Sequence, residues 1–132
     1  MQRVCIAGVG QTVFGKFLER GVRSLAEEAL GLAFKDAGID PSRTEMVYFA
    51  NALSGLITGQ ESIRGQVALR HTALMGTPII NIDNACASGS SAFYLAWLSV
   101  ASGQADVALA IGSEKLTHRD KAVTFAAYAS GI

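Results

Sequence analysis

Residues 79–92 have the sequence IINIDNACASGSSA, and this stretch decides the fold. An apolar run typical of a buried strand leads into a turn at Cys86, and a run of small residues typical of a helix follows it. A thiol at the first turn of a helix meets unpaired N–H groups and the positive end of the helix dipole, which favour the thiolate. The pattern therefore indicates a strand–turn–helix unit that carries a nucleophilic cysteine.

The composition indicates one globular domain with a large hydrophobic core, and it gives no sign of a strongly charged binding partner. The chain has 132 residues, of which 50% are hydrophobic and 17% are charged. A chain of this length supports one domain with a real core rather than two domains. Lysine plus arginine and aspartate plus glutamate each number 11, so the net charge is zero. This balance gives no support to binding of nucleic acid or of an anionic membrane.

The cysteines and the N-terminal sequence indicate a reducing compartment. Cys5 and Cys86 lie far apart, and no Cys-x-x-Cys or Cys/His spacing predicts a metal site. Residues 1–7 lack the apolar segment and cleavage site of a signal peptide. The longest apolar run, within residues 92–101, is too short to span a bilayer. We therefore expect a cytoplasmic protein with free thiols, no metal and no membrane span.

Hydrophobic periodicity predicts alternating strands and helices. Nearly continuous apolar runs predict buried strands, and amphipathic or small-residue runs predict helices. The predicted strands are residues 3–10, 46–51, 79–83 and 105–111, and the predicted helices are residues 24–37, 61–74, 87–101 and 122–132. Residues 11–21 and 52–59 are predicted loops. The order βαβαβαβ predicts a layered α/β domain.

Local signals predict where the first helices begin and end. Ser24 with Glu27 three residues later is typical of a capping box at a helix N-terminus. Gly38 is a typical left-handed cap at the other end of that helix. Gly65 is expected to interrupt the helix predicted over residues 61–74.

Each thiol and glycine motif has an ordinary structural interpretation beside a functional one. Free cysteine is among the most buried residue types, so Cys86 without its context would be a core thiol. The small residues at 87–89 instead favour a tight turn, which a core thiol does not need. Cys5 lies within a predicted strand and is expected in the core. Residues 8–10, Gly-Val-Gly, lack the third glycine and the later acidic residue of a dinucleotide-binding fingerprint.

Two histidines and several cations are further candidates for the site. His71 lies near the end of a predicted helix, and His118 lies in a charged segment. Either could serve Cys86 as a base, but the sequence gives no geometry for such a pair. Solvated surface is the ordinary role of scattered cations. The candidates for phosphate contacts are Arg64, Arg70, Lys115, Arg119 and Lys121.

These motifs together resemble the thiolase superfamily. Residues 84–92, NACASGSSA, are similar to the nucleophile motif of that family, in which an asparagine, a cysteine and a Ser-Gly or Thr-Gly pair open a buried helix. Residues 51–64 resemble its second strand and Gly-Gln-Asn loop, with Glu61 where the family has asparagine. Residues 103–115 are similar to the strand and Gly-x-Glu turn after the nucleophile helix. Residues 6–15 resemble the sterol-carrier-protein-x branch.

The resemblance implies a thiolase-type acyltransferase of lipid metabolism. It implies a layered α/β half-domain with a mixed, mainly parallel sheet, packed in the family against a similar second half. It also implies that Cys86 attacks an acyl-CoA and forms an S-acyl-cysteine, with the Cys86 backbone N–H as one oxyanion donor. Claisen condensation with a second acyl-CoA, or thiolytic cleavage of a 3-ketoacyl-CoA in reverse, then follows. Coenzyme A thioesters are the implied substrates, with no bound cofactor, and the coenzyme A-binding residues stay unassigned.

Three motifs of the family are absent from these 132 residues: a His-Pro motif, an asparagine-containing motif and a second Cys-x-Gly motif. In the family they come from the C-terminal half. The resemblance is therefore to the N-terminal half, with residues 1–112 as the α/β domain and residues 113–132 as the truncated start of a loop domain. We expect this half alone to be inactive. The alternatives are a non-catalytic half-domain or subunit of a split assembly, a ketoacyl synthase, or a carbon–carbon lyase.

The resemblance also predicts partners. A homodimer or larger homo-oligomer is expected, because the strand before the nucleophile pairs with its two-fold mate in the superfamily, and residues 79–84 occupy that place. An unpaired apolar edge strand would otherwise promote aggregation. An OB-fold zinc-ribbon protein is a further partner expected by analogy with sterol-carrier-protein-x-like relatives. The acyl chain, the direction of the reaction and the base stay open.

Overall fold

Three parallel strands form the central sheet of the computed structural model, which describes residues 1–131. The strands are β1 (Met46–Ala50), β2 (Ile79–Ile82) and β3 (Ala108–Gly112). They lie in the order β2-β1-β3, and the central strand β1 pairs in parallel with both neighbours. The carboxyl ends of all three strands therefore lie at one edge of the sheet.

Helices cover both faces of this sheet. They are α1 (Val22–Ala37), α2 (Ser54–Thr58), α3 (Arg64–Leu69), α4 (Ser88–Ala101) and α5 (Lys121–Ala129), with a short 3-10 helix at Pro41–Arg43. α1 and α3 pack on one face and α4 packs on the other, which gives three layers. The predicted α/β class is confirmed. None of the helices within residues 1–131 has the length and apolar character needed to cross a membrane.

Alternation along β1 divides the core into two clusters. Successive side chains of a strand point to opposite faces of the sheet. Val47 and Phe49 are fully buried and join the cluster beneath α1 and α3. Tyr48 and Ala50 join the smaller cluster beneath α4. Because both faces of β1 are covered, the strand is apolar throughout, as expected for a buried parallel strand.

Small side chains bring α4 close to the sheet. Ala92 and Ala96 are the buried residues of α4 in the cluster with Tyr48. One turn further along the helix, the hydroxyl oxygens of Tyr48 and Ser99 lie 2.5 Å apart in a buried hydrogen bond. A buried hydroxyl without a partner is costly, so this bond fixes where along β1 the helix can pack. The position of α4 in turn fixes the start of the helix, which follows Cys86.

The N-terminus of α1 differs from the predicted capping box. The helix begins two residues before Ser24, and its N-cap residue is Gly21, which makes no side-chain capping bond. The hydroxyl of Ser24 instead accepts a hydrogen bond from Nε of Arg20 at 3.0 Å. The predicted end of the helix is confirmed, since Gly38 has a φ of +64° and its N–H bonds back to Phe34.

Residues 3–10 do not form the predicted strand, and within residues 1–131 they pair with no strand of the sheet. The segment runs instead beside α1, where the N–H of Val9 donates to the carboxylate of Asp36 at 2.9 Å. Cys5, predicted to lie in the core, is exposed. The apolar run was therefore misleading as a strand signal, since Ile6 and Val9 are largely exposed beside α1.

The connection between β1 and β2 is more helical at its start and less helical at its end than predicted. α2 forms within residues 52–59, where a loop was predicted, and α3 covers only part of residues 61–74. Gly65 was predicted to interrupt a helix, but it lies inside α3. It is needed there because α3 crosses Phe49 so closely that a Cβ atom on Gly65 would lie 2.6 Å from the Cβ of Phe49.

We expect Gly65→Ala to destabilise the protein and Gly31→Ala to stabilise it. A methyl group at Gly65 would also lie 2.9 Å from Cγ2 of Ile79, and such overpacking costs about 1–3 kcal/mol. Gly31 lies on the exposed side of α1 with open space around it. Alanine there gains about 1 kcal/mol of helix propensity. Urea unfolding of both variants measures the difference, and stabilisation of both would contradict the close packing of α3 on β1.

Candidate active site

The carboxyl ends of the three strands bring polar residues together at one edge of the sheet. β1 ends just before Asn51, β2 just before Asp83, and β3 just before Ser113 and Glu114. The chain leaving β1 reaches α3 on one face, whereas the chain leaving β2 reaches α4 on the other. Open α/β sheets bind ligands at such a point, where neighbouring connections leave on opposite faces. This edge is therefore the candidate site.

Cys86 lies at this edge, exposed, in the turn between β2 and α4. The turn is closed by its own hydrogen bonds, from the N–H of Ala87 to the carbonyl of Asn84 at 2.9 Å and from the N–H of Ser88 to the carbonyl of Ala85 at 3.1 Å. The hydroxyl of Ser88 accepts from the N–H of Asn84 at 2.8 Å and donates to the carbonyl of Ala85 at 2.7 Å. α4 begins at Ser88, so the thiol lies two residues before the helix.

Ala85 gives the cysteine turn a strained backbone. Its φ is +47°, in the left-handed region that side chains with a Cβ atom rarely adopt. Such a conformation costs about 1–2 kcal/mol and persists only where the surrounding structure fixes it. One fixing contact is visible: the carboxylate of Asp83 accepts a hydrogen bond from the N–H of Ala85 at 3.2 Å. Strain of this kind concentrates at functional sites, so it supports the assignment of the site.

Glu114 joins the end of β3 to the loop that follows β1. Its carboxylate accepts hydrogen bonds from three consecutive backbone N–H groups, those of Ala52 at 2.8 Å, Leu53 at 3.2 Å and Ser54 at 2.6 Å. Since α2 begins at Ser54, the negative charge lies at the positive end of that short helix. The carboxylate thus satisfies amide groups that have no partner within the helix itself.

Asn51 fills the space between these two ends. Its side chain is buried, and its amide nitrogen donates to the hydroxyl of Ser54 at 2.5 Å, the carbonyl of Ser113 at 2.7 Å and the carboxylate of Glu114 at 3.1 Å. Its amide oxygen accepts from Arg64 at 3.1 Å. A buried amide side chain is tolerated when its hydrogen bonds are made, and these bonds tie β1 to β3.

Arg64 collects acceptors from three segments of the site. Its guanidinium donates to the carbonyl of Ala52 at 3.0 Å as well as to Asn51, and it forms ion pairs with Glu61 at 2.9 Å and with Asp83 at 3.8 Å. Its side chain is 16% exposed. A planar guanidinium with five N–H donors suits such a set of acceptors, which a lysine could not serve in the same way.

A cavity of about 210 Å³ opens between the ends of β1 and β2. Polar side chains form much of its wall, namely Asn51, Glu61, Arg64, Asn81 and Asp83. Ile63 also lines it, and this residue has a φ of +42°. The cavity is thus bordered by the polar contacts described above and by a second strained residue.

Within the described residues, the hydrogen bonds of both histidines are made to groups outside the cysteine turn. His71 follows α3 and precedes β2, so it lies toward the amino ends of the strands, and its Nε2 accepts from Nε of Arg70 at 3.0 Å. His118 is exposed, and its Nδ1 accepts from the N–H of Asp120 at 3.0 Å. Within residues 1–131, neither histidine makes a hydrogen bond to Cys86.

Two of the other candidate cations, Lys115 and Arg119, have structural partners. Lys115 is buried, and its ammonium donates to the backbone carbonyls of Phe17 and, at 3.2 Å, Leu18. Arg119 pairs with Glu19 in an exposed ion pair at 2.6 Å. Lys115 therefore anchors the loop before α1 to the segment after β3.

Sequence reasoning singled out Cys86 as the candidate nucleophile but assigned no contact to the residues around it. Asn51 and Glu114 were quoted only as parts of motifs, Arg64 was considered only as part of a motif and as a possible phosphate contact, and Asp83 was taken as the end of a strand. The signal that unites them is positional, since each polar residue follows or faces the carboxyl end of a parallel strand. The structure brings them into one set of contacts.

Comparison with known proteins identifies relatives over nearly the whole chain. The family described as thiolase, N-terminal domain, matches residues 4–131. An acetyl-CoA acetyltransferase of Methanocaldococcus jannaschii is 45% identical over 117 residues, which are 89% of this chain and 30% of the relative. Benzoylsuccinyl-CoA thiolase subunit BbsB of Thauera aromatica is 38% identical over 133 residues, covering 99% of this chain and 33% of the relative. The chain thus spans about a third of the length of these relatives.

A solved structure shares the fold. The 3-oxoacyl-[acyl-carrier-protein] synthase III of Aquifex aeolicus superimposes with a TM-score of 0.62 and is 24% identical. The superposition covers 80% of this chain and 35% of the other. At this identity the similarity supports the layered α/β architecture and nothing finer.

We expect Glu114→Ala to destabilise the protein by about 2–3 kcal/mol, because three backbone N–H groups lose their shared acceptor and an unpaired polar group costs about 1–3 kcal/mol. Chemical unfolding measures the loss. The matched control is Glu19→Ala, which breaks an exposed ion pair and should change stability by less than about 1 kcal/mol. A Glu114→Ala variant as stable as the control would contradict the assigned role of this carboxylate.

Proposed function

Because this chain belongs to the thiolase N-terminal domain family, we propose that it supplies the nucleophile of a thiolase-type acyltransferase. The nucleophile is Cys86. The observation that carries this proposal is the exposed thiol on a strained turn at the carboxyl edge of a parallel sheet. A core thiol would need neither the exposure nor the strain.

The proposed reaction begins with attack of the Cys86 sulfur on the carbonyl carbon of an acyl-CoA. The sulfur loses its proton, a new carbon–sulfur bond forms, and the bond to coenzyme A breaks. Coenzyme A leaves with a proton, and the acyl group remains on Cys86 as a thioester. A thioester keeps the acyl carbon reactive toward a carbanion, so it suits condensation with a second acyl-CoA. The reverse sequence cleaves a 3-ketoacyl-CoA.

The turn also offers a donor for the negative oxygen that forms during the attack. Within residues 1–131, the N–H groups of Ala85, Ala87 and Ser88 have acceptors inside the turn, and that of Cys86 has none. A preorganised backbone N–H next to the reacting sulfur is well suited to stabilise an oxyanion. We assign the Cys86 N–H as one donor of the proposed oxyanion hole.

The remaining groups of the reaction are proposed to come from outside residues 1–131. Within residues 1–131 neither His71 nor His118 is hydrogen-bonded to Cys86, so we assign neither as its base. The relatives are about three times as long as this chain, which leaves room for such groups. The ketoacyl synthase and lyase alternatives would use the same thioester and differ in what attacks it.

We expect acetyl-CoA to acetylate Cys86 in the full-length protein. Intact mass should rise by one acetyl group, and peptide mapping should place that group on Cys86. Cys86→Ala should abolish the adduct, because the sulfur that attacks the thioester is gone. Cys5→Ala is the matched control, since Cys5 is the other exposed free thiol, and it should keep the adduct. An unmodified wild-type protein, or an adduct that survives Cys86→Ala, would overturn the proposal.

We also propose that β2 mediates a homodimer. Within residues 1–131, β2 pairs on one side only, and Ile80 on this edge strand is 45% exposed. An apolar strand edge that stayed open to solvent would favour uncontrolled association. Pairing with a second copy satisfies its backbone groups and covers Ile80.

We expect Ile80→Asp to weaken this dimer at least about tenfold in dissociation constant, because the substitution places a desolvated charge in the interface. Sedimentation at several concentrations measures the effect. Met75→Asp is the control, since Met75 is exposed but lies outside the strands. A monomeric wild-type protein, or equal weakening by both variants, would contradict the proposed interface.

A further inference from the structure

We propose that Arg64 and Asp83 form a latch that positions the Cys86 turn through the backbone of Ala85. Both are positioning residues, which act on the nucleophile through other groups. The inference rests on the proposed role of Cys86. It gives a role to the Arg64–Asp83 ion pair, which takes no part in the bond-making steps of acyl transfer.

Two strained residues point to the latch. Among residues 1–131, the non-glycine residues with positive φ are Ile63 at +42° and Ala85 at +47°. Each stands directly before a residue of the site, Ile63 before Arg64 and Ala85 before Cys86. The left-handed region is especially unfavourable for a β-branched residue such as isoleucine. Strain of this kind persists only when neighbouring contacts fix the backbone, so contacts must act on both turns.

Arg64 is fixed from the side of β1. Its guanidinium bonds to the Asn51 amide oxygen at 3.1 Å and to the Ala52 carbonyl at 3.0 Å, and both acceptors belong to the segment that Glu114 holds. The same nitrogen faces a carboxylate oxygen of Asp83 at 3.8 Å. The cation is therefore held at the end of β1 and directed toward the end of β2.

Asp83 carries the contact into the cysteine turn. One of its carboxylate oxygens faces Arg64, and the other accepts the N–H of Ala85 at 3.2 Å. The two oxygens of one side chain thus join the anchored guanidinium to the strained residue. The φ and ψ angles of Ala85 set the direction of the next N–H, which belongs to Cys86. The latch therefore aims the proposed oxyanion donor.

A second set of bonds keeps α3 in place without Arg64. The side chain of Asn81 on β2 accepts from the N–H of Gly65 at 2.6 Å and donates to the side chain of Gln66 at 2.7 Å. The start of α3 therefore stays attached to β2 when Arg64 is changed. Asp83 is 59% exposed, and partly exposed ion pairs contribute little to global stability. The effect of breaking the latch should be local.

The test compares Arg64→Met, Asp83→Ala and the double variant in the full-length protein. Amide hydrogen exchange of the peptide that contains Ala85 and Cys86 should become about tenfold faster in each variant. In the wild-type protein the turn can open only when the latch contacts break, and in the variants this cost is absent. The double variant should be no faster than the single variants, since both remove the same link. The control is Arg23→Met, which breaks the Arg23–Glu27 pair on α1 and should leave this peptide unchanged.

A second measurement separates positioning from a general structural role. Acetylation of Cys86 by acetyl-CoA should slow about tenfold in the latch variants, because it requires an aligned N–H donor. Alkylation of Cys86 by iodoacetamide requires no oxyanion donor, so its rate should stay within about twofold of wild type. Alkylation of the exposed Cys5 in the same samples provides an internal reference.

Each outcome decides the inference. Unchanged exchange at Ala85 in Arg64→Met overturns it, since Asp83→Ala removes the acceptor of the Ala85 N–H directly. Faster exchange along the whole chain overturns it as well. Slower alkylation of Cys86 in parallel with acetylation also overturns it, because the change would then be structural. If wild-type protein is not acetylated but the exchange effect appears, the proposed function fails and the latch stands. If wild-type protein is acetylated and exchange is unaffected, the function stands and the latch fails.

Discussion

The carboxylate of Glu114 joins the carboxyl ends of two strands, β1 and β3, around which the site is built. Glu114 accepts three consecutive backbone N–H groups that follow β1, although it follows β3 about sixty residues later in the sequence. Those amides belong to a loop and a helix start, so nothing inside α2 can satisfy them. The contact forms only when β1 and β3 lie side by side in parallel and end together. The contact therefore requires the observed strand order. It also fixes the loop after β1, which supplies the acceptors of Arg64 beside the cysteine turn.

Much of the fold could be predicted from the sequence because its signals are local. Continuous apolar runs found β1 and β2 to within about one residue, and the small-residue run after Cys86 found α4. Gly38 ended α1 as expected, since a left-handed cap is a property of one residue. The cysteine turn was found for the same reason. It lies between two clear periodic segments, and its small residues leave few alternatives to a tight turn.

The rest depends on contacts between distant segments, which a single sequence does not encode locally. Nothing in residues 3–10 distinguishes a strand at the sheet edge from a segment beside α1, and their exposed position in the structure removes Cys5 from the core. Ser24 lies in a good capping-box pattern, yet its hydroxyl accepts a hydrogen bond from Arg20 and caps no helix N–H group. At the site, the sequence alone suggests that Arg64 is a solvated surface residue. Its acceptors lie at the ends of β1 and β2, which only the folded structure brings close to it.

The alanine at position 85 is an informative choice in this turn. Glycine adopts a positive φ without the penalty of about 1 kcal/mol or more that a Cβ atom brings, so stability alone would favour glycine here. Glycine would also admit many competing backbone conformations, and the N–H of Cys86 would follow each of them. Alanine leaves fewer alternatives, and the bond from its N–H to Asp83 selects one of them. The strain at Ala85 is therefore the cost of a defined direction for the N–H beside the thiol.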